Sequence, residues 1–221
     1  MKLDLILNIE TSTSNCSVSL SSGEDLIDII EVDKSSYSHS ENLHSFIQKI
    51  LKKNKFKPQE LACISVSRGP GSYTGLRIGV SAAKGLCFAN DIPLISVSSL
   101  EILANSTSFK GIVIPTIDAR REEVYSCVFF ENHIINEEKP ETITQTSFKD
   151  HLKNNEILII GSGQFKCEKI IKKNKNLNFN NEIINPSSRH MPILSYRKFI
   201  KKEFEDLAYF EPRYLKEFKS R

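Results

Sequence analysis

Leu3, Leu5, Leu7 and Ile9 recur at every second position, and Cys16, Val18 and Leu20 do so again after the polar stretch Thr11 to Asn15. A period of two is what a half-buried strand shows, so these segments read as a hairpin. Ser21-Ser22-Gly23 supplies another turn before Leu26 to Val32, which makes a third strand of the same meander. The period then changes. Ser38-x-x-Glu41 is a capping box, and Leu43, Phe46, Ile47, Ile50 and Leu51 follow at the spacing of one helical face until Pro58 forbids continuation. The spacing predicts a helix from about Ser38 to Asn54. Leu61 to Ser67 reads as a strand, a second helix starts at a Ser72 or Thr74 cap and ends near Ala89, and Pro93 to Val97 reads as a further strand.

The same order then returns. Ser98-x-x-Glu101 caps a short helix, and Ile112 to Ile117, Glu123 to Phe130 and His133 to Asn136 make a second meander. Helical patterning over Thr146 to Lys153, a strand at Ile157 to Ile160 and a helix from Gln164 to Asn174 complete the repeat. This echo predicts two related units of sheet and helix, 1–100 and 101–221, with the boundary between Val97 and Ser106. A last helix, Ile193 to Ala208, is free to return to the first unit. Duplicated mixed-sheet units of this order are typical of the actin-like ATPase superfold: α/β, with two RNase H-like subdomains and helices flanking each sheet. A doubly wound nucleotide fold would begin β-α-β instead.

Composition adds limits more than direction. The 221 residues suffice for one large core or two small ones. The five cysteines stand in apolar stretches without C-x-x-C spacing, as reduced small hydrophobes do. The start of the chain has neither the basic-then-apolar run of a signal peptide nor a span of about 20 apolar residues, so a cytoplasmic protein without a membrane segment is expected. A formal charge of +3 does not announce a nucleic-acid binder. Basic clusters at Lys52/Lys53/Lys55/Lys57, Lys172/Lys173/Lys175 and Arg197 to Lys202 read first as solvated faces, with weak tRNA contact as the alternative.

Two carboxylates stand at matching places, Glu10 at the end of the first strand and Asp118 at the end of its counterpart. In an actin-like ATPase such hairpins clamp phosphates through backbone N–H groups, a task that favours glycine, and neither hairpin contains one. Phosphoryl transfer would need these carboxylates to hold Mg²⁺, whereas Arg120, Arg121, Glu122 and Glu123 crowd the second loop. Glu10, Thr11, Gly69, Gly71 and Asp118 are the candidates for contact with a nucleotide or anion. An actin-like ATPase or kinase using Glu10 and Asp118 is the alternative reading. His39 and His44 lie five apart, so they diverge by roughly 140° around a helix and do not meet at one ion. No metal or cofactor is expected. Gly69-x-Gly71-x-x-x-Gly75 has neither dinucleotide-binding spacing nor the Lys-Ser/Thr of a P-loop, and no G-x-S-x-G elbow occurs.

The helix behind that segment is unusually poor in bulk, with Gly75, Gly79, Ala82, Ala83 and Gly85. Glycine inside a helix costs up to about 1 kcal/mol against alanine, so close approach by a neighbour is expected in compensation. The neighbour is the sheet, the first helix or another subunit. Leu76, Val80, Ala83 and Cys87 mark one apolar stripe while Ile78, Ala82 and Leu86 mark another. Only one can face its own sheet, and the other reads as a protein-binding patch.

The segment SRGPGSYTGLRIGVSAAKGL (67–86) resembles the GRGPGSFTG(V/L)RIG-type signature of the TsaB (YeaZ-like) family of bacterial tRNA threonylcarbamoyladenosine biosynthesis proteins. LNIETSTSNCSVSL (7–20) is similar to the family's opening hairpin, His39 to its helix-start histidine, PTIDARREEVY (115–125) to its DAR-x-GEVY stretch and EPRYL (211–215) to its closing P-x-YL. Glu122 departs from the pattern, standing where the family usually has glycine. The resemblance implies an actin-like fold without the catalytic metal site of the paralogue TsaD. It implies a non-catalytic scaffold that pairs with TsaD, with the ATPase TsaE joining, while TsaD transfers the threonylcarbamoyl group to the adenosine just 3′ of the tRNA anticodon. It further implies a homodimer when alone and tRNA contact mainly through the complex. His39, Leu43, Phe46 and Ile47 of the first helix, with Tyr73, Arg77, Val80 and Lys84 of the second, are the expected interface.

Overall fold

The computed structural model describes residues 4–33, 39–131, 133–153 and 155–216. Leu3, the first alternating position, and Ser38 of the capping box lie outside them. The chain forms two compact units, one running up to Ile102 and including Pro186–Arg213, the other made of Leu103–Asn185 with the chain from Tyr214. The segment Pro186–Arg213 is thus part of the first unit, and the second is shorter than a division at residue 100 gives.

In the first unit, β1 (Leu5–Glu10), β2 (Asn15–Ser22) and β3 (Asp25–Asp33) form an antiparallel meander. Parallel strands β4 (Cys63–Ser67) and β5 (Leu94–Val97) extend it on the other side of β1, giving the order β3-β2-β1-β4-β5. Two helices, α1 (His39–Lys53) and α2 (Tyr73–Asn90), cover one face. There Leu7, Ile9, Val18, Leu20, Ile64 and Val66 of the strands pack with Leu43, Ile47, Ile50, Val80 and Ala83 of the helices. Each fully buried Leu, Ile or Val contributes about 1.5–3 kcal/mol relative to exposure, so this face carries most of the unit's apolar stabilisation.

The alternation at the start of the chain predicts a half-buried strand, but β1 is buried on both faces, Asn8 and Glu10 included. The returning segment is the reason. It contains α5 (Pro192–Ile200), whose Leu194 packs with the preceding Met191 on Ile6, Cys63, Ile95 and Val97. Around that small apolar patch the contact is a strip of hydroxyls, because Ser17, Ser19 and Ser21 occupy the period-two positions opposite Cys16, Val18 and Leu20. Ser17 Oγ accepts from the Ser188 N–H at 2.9 Å, and Ser19 Oγ donates to the Ser188 carbonyl at 2.8 Å. Ser195 Oγ lies 2.7 Å from Asn8 Oδ1 and 2.8 Å from Ser65 Oγ, while Asn8 Nδ2 donates to Ser21 Oγ at 3.2 Å. A hydroxyl with one proton satisfies both neighbours by donating to the amide oxygen and accepting from Ser65.

The second unit repeats the order. Strands β6 (Ile112–Asp118), β7 (Glu123–Phe130) and β8 (His133–Thr142) form the meander and β9 (Ile157–Ile160) and β10 (Leu177–Phe179) the parallel extension, arranged β10-β9-β6-β7-β8. The short helix α3 (Ser99–Ala104) precedes it and α4 (Gln164–Ile170) lies between β9 and β10. Its core joins Ile112, Ile114, Val124, Val128, Ile157 and Ile159 with Ile143, Phe148, Leu152 and Cys167. Two mixed sheets of one topology, each flanked by helices, make this an actin-like fold of RNase H-like units.

Several predicted helices are shorter than their patterns. Over Thr146–Lys153 the chain makes successive turns with only a 3-10 turn at His151–Lys153. Phe148 adopts φ 61° to bury its ring, and Ser147 Oγ accepts the Thr144 N–H at 3.0 Å, so local side-chain bonding replaces the helical ladder. The helix predicted to Asn174 ends at Ile170, where Ile171 turns extended to enter the core. β10, three residues long, falls just beyond the stretch where that helical pattern obscures any strand signal. The last helix stops at Ile200 rather than Ala208, because Lys202 enters the left-handed region and Glu203 N–H bonds back to the Lys198 carbonyl at 3.0 Å.

Removing the Ser195 hydroxyl leaves Asn8 Oδ1 buried without that donor. Ser195→Ala is therefore expected to lower unfolding free energy by about 1–3 kcal/mol, read as a lower urea midpoint at unchanged slope. A midpoint equal to wild type would show that the hydroxyl strip does not hold α5 in place.

Candidate functional site

The motifs singled out in the first hundred residues converge on the turn between β1 and β2. Thr11 Oγ1 donates to the Gly75 carbonyl at 2.8 Å, and Ser72 N–H donates to the Ser12 carbonyl at 2.6 Å. A Cβ added at Gly71 would collide with the Ser12 carbonyl, at Gly75 with the Thr11 carbonyl and at Gly79 with Thr11 Oγ1. The turn therefore lies directly on the first two turns of α2, which explains the poverty of bulk there. Gly85, the third glycine inside the helix, faces open space. Ser72 is the N-cap, its Oγ accepting from Gly75 N–H at 3.3 Å. On the other side His39 Nε2 donates to the Thr13 carbonyl at 2.7 Å, so residues 11–13 hold the starts of both α1 and α2.

Gly69, at φ +100°, would bring a Cβ to 3.0 Å from the Arg213 carbonyl, and Arg213 N–H donates to the Arg68 carbonyl at 2.8 Å. The glycine segment thus meets the closing EPRYL stretch. Gly69 and Gly71 are adjoined by protein carbonyls, which are acceptors, so the geometry of the segment serves chain packing.

Glu10 is fully buried. Its Oε1 accepts the Ser12 N–H at 2.5 Å while Oε2 has no hydrogen-bond partner. Burial pushes this carboxyl up from 4.5 to about 7, and hydrogen bonds from Ser12 and Ser67 offset only part of that effect. Asp118 sits at the matching place of the second unit but in a different state. Exposed, it is paired with Lys166 Nζ at 2.8 Å and accepts the Arg120 N–H at 2.6 Å. Lys216 similarly takes Glu123 and the Ala119 carbonyl, holding the Glu123 carboxyl below its ordinary range. Arg120 and Arg121, just before Glu122, both have positive φ. Among the described residues no group of three or more His, Cys, Asp or Glu is placed to hold a metal ion.

Of the eight residues expected at a partner interface, His39, Leu43, Ile47 and Val80 belong to their own unit's interior, each at most 5% exposed. Phe46 packs half-buried on the same core. Lys84 reaches back, its Nζ donating to the carbonyls of Ala208 at 3.2 Å and Phe210 at 3.0 Å. Arg77 stacks over the Tyr73 ring at 4.9 Å and is exposed. What a partner can reach between the two helices is a shallow groove lined by Ser40, His44, Arg77, Ile78, Ser81 and Ala82. The signal for it was the second apolar stripe, Ile78–Ala82–Leu86, because the first stripe, with Val80, faces the sheet.

Glu10 makes stability depend on pH. Its folded value lies above its unfolded one, so its contribution is complete below pH 4.5 and is lost as pH rises through about 7. Glu10→Gln is expected to remove that loss and to gain about 3 kcal/mol over wild type from the acid to the alkaline end of the window. Parallel urea titrations of the two proteins, with identical pH profiles, would refute the burial of a carboxyl that prefers its proton.

Comparison with known proteins places this geometry. The family described as TsaD, tRNA N6-adenosine threonylcarbamoyltransferase, matches residues 32–221. The tRNA threonylcarbamoyladenosine biosynthesis protein TsaB of Bacillus subtilis strain 168 is 38% identical over 138 residues, 62% of this chain but only 60% of that relative's length. TsaB of Escherichia coli K12 is 27% identical over 219 residues, 96% of this chain and 94% of the relative. Among solved structures, YeaZ from Pseudomonas aeruginosa superposes with a TM-score of 0.84 at 22% identity, over 96% of this chain and all of that one, which shows a shared fold. The chain belongs to the TsaD family, that of the tRNA N6-adenosine threonylcarbamoyltransferases, and falls with the TsaB (YeaZ-like) proteins within it.

Proposed function

We propose that this chain is a non-catalytic partner subunit in the synthesis of threonylcarbamoyladenosine on tRNA, docking a TsaD-like catalytic subunit through the exposed face of α1 and α2. The groove between those helices carries the reading. Ala82 is buried and Ile78 half-buried in it, and the small Ser40 and Ser81 with Arg77 and His44 stand exposed around them. Small residues let a partner helix approach closely, and an Arg at the edge is the residue type that anchors interfaces. The core residues beneath, Leu43, Ile47 and Val80, support the surface instead of contacting the partner.

The state of the two carboxylates favours a scaffold over an actin-like ATPase. Phosphoryl transfer needs carboxylates free to hold Mg²⁺ near phosphate. Glu10 is fully buried, which disfavours its charged form and raises its titration to about 7, and Asp118 is already engaged by Lys166. In this reading the chain works in the cytoplasm, pairs with itself through the same groove when alone, and meets TsaE and most of the tRNA only within the complex.

The test uses two variants. Ser81→Arg places bulk in the groove without disturbing the core and is expected to abolish co-purification with TsaD and reconstituted tRNA modification while thermal melting stays near wild type. Gly79→Glu collides with Thr11 and is expected to lose stability first. Undiminished complex formation by a folded Ser81→Arg protein would refute the docking face. ATP hydrolysis by the isolated chain, lost in Asp118→Asn, would instead establish the enzyme reading.

A further inference from the structure

The end of α5 carries a surface that neither the sheet nor the α1–α2 groove uses. Tyr196-Arg-Lys-Phe-Ile-Lys-Lys-Glu-Phe204 interleaves basic and apolar residues. Arg197, Lys201 and Lys202 are exposed and Lys198 is half-exposed. Arg197 faces Glu24 across 3.9 Å, whereas Lys198, Lys201 and Lys202 take no ion pair among the described residues, with Glu203 the one acid in their turn. Between these cations Ile200 is 58% and Phe204 41% exposed. The rings form a row, Tyr196 to Phe199 at 6.4 Å and Phe199 to Phe204 at 6.1 Å.

Cations at a helix C-terminus are favourable by themselves, so the lysines alone need no partner. Apolar side chains held in water among them are unfavourable, and a partner offering both phosphates and flat apolar faces would relieve this. Unpaired loops of RNA offer both, since lysines take phosphates and an aromatic ring stacks on a splayed base. A lipid surface offers both too, but the apolar side of α5 is spent on the sheet through Leu194 and Met191, which leaves too narrow a face to enter a bilayer.

We propose that the end of α5 is a direct docking surface for the tRNA substrate, Lys198, Lys201 and Lys202 meeting backbone phosphates and Phe204 stacking on an unpaired base. The proposal rests on the reading of the chain as a tRNA-modification subunit and adds to it a contact made by this chain itself.

Fluorescence anisotropy of an unmodified tRNA transcript against the full chain, over a series of salt concentrations, tests it. The triple variant Lys198→Ala/Lys201→Ala/Lys202→Ala is expected to flatten the salt dependence by about 2–3 in log–log slope. Phe204→Leu, which keeps the packing on Phe199, is expected to weaken binding roughly tenfold at unchanged slope. Lys172→Ala/Lys173→Ala/Lys175→Ala, three lysines of the second unit, is the control. Wild-type affinity and slope in the α5 triple variant, an equal loss in the control, or tighter binding to phosphatidylserine vesicles than to tRNA would each overturn the proposal. Reconstituted modification that still requires the chain would, in those cases, leave the scaffold reading standing.

Discussion

The first unit depends on one close approach, that of the backbone at residues 11–13 to the start of α2. Thr11 and Ser12 lie where side chains of Gly71, Gly75 and Gly79 would be, and the contact closes with two short hydrogen bonds into α2. The same turn accepts the His39 imidazole, which fixes where α1 begins. Because a single four-residue turn positions both helices, the groove between them is a consequence of hairpin geometry. Its buried side, Ala82 with Ile78, belongs to the core of the first unit, whereas Ser40, His44, Arg77 and Ser81 stand exposed.

The opposite face of the sheet is held by different physics. Burying a hydroxyl strip is unfavourable unless its groups are paired, and most of the pairing here is specific, with Ser17 and Ser19 on the Ser188 backbone and Asn8 with Ser65 on Ser195, while the Ser188 hydroxyl itself has no partner. A purely apolar face would accept many positions of α5, whereas these bonds accept one. The C-terminal segment is thereby tied to strands nearly two hundred residues earlier, and Lys84 adds a tie from α2 to the carbonyls at 208 and 210.

The two matched carboxylates show how one topology, used twice, diverges in chemistry. Glu10 ends β1 fully buried, and desolvation dominates its titration. Asp118 lies in a turn left open, where Lys166 supplies a counter-charge. Equivalent places in two related units therefore hold a buried carboxyl whose titration burial pushes up to about 7 and an exposed carboxylate in an ion pair.

The periodicities alone determined the doubled order of strands and helices, the apolar faces of α1 and α2 and the need of α2 for a close neighbour. These are local properties, encoded in spacing along the chain. The family resemblance was legible as well, because its segments are contiguous. The identity of that neighbour was not legible, since Thr11 stands 64 residues before Gly75 and only the fold joins them. Nor was the inward direction of Val80, because a helix with two apolar stripes does not say which one its own sheet will take. The short ends of α4 and α5 were likewise decided by tertiary contacts, with Ile171 drawn into a core and the residues after Ile200 folded back on the helix. The raised titration of Glu10 was the least visible of all, for in sequence it is one more carboxylate, and only its complete burial in the fold disfavours the charged form.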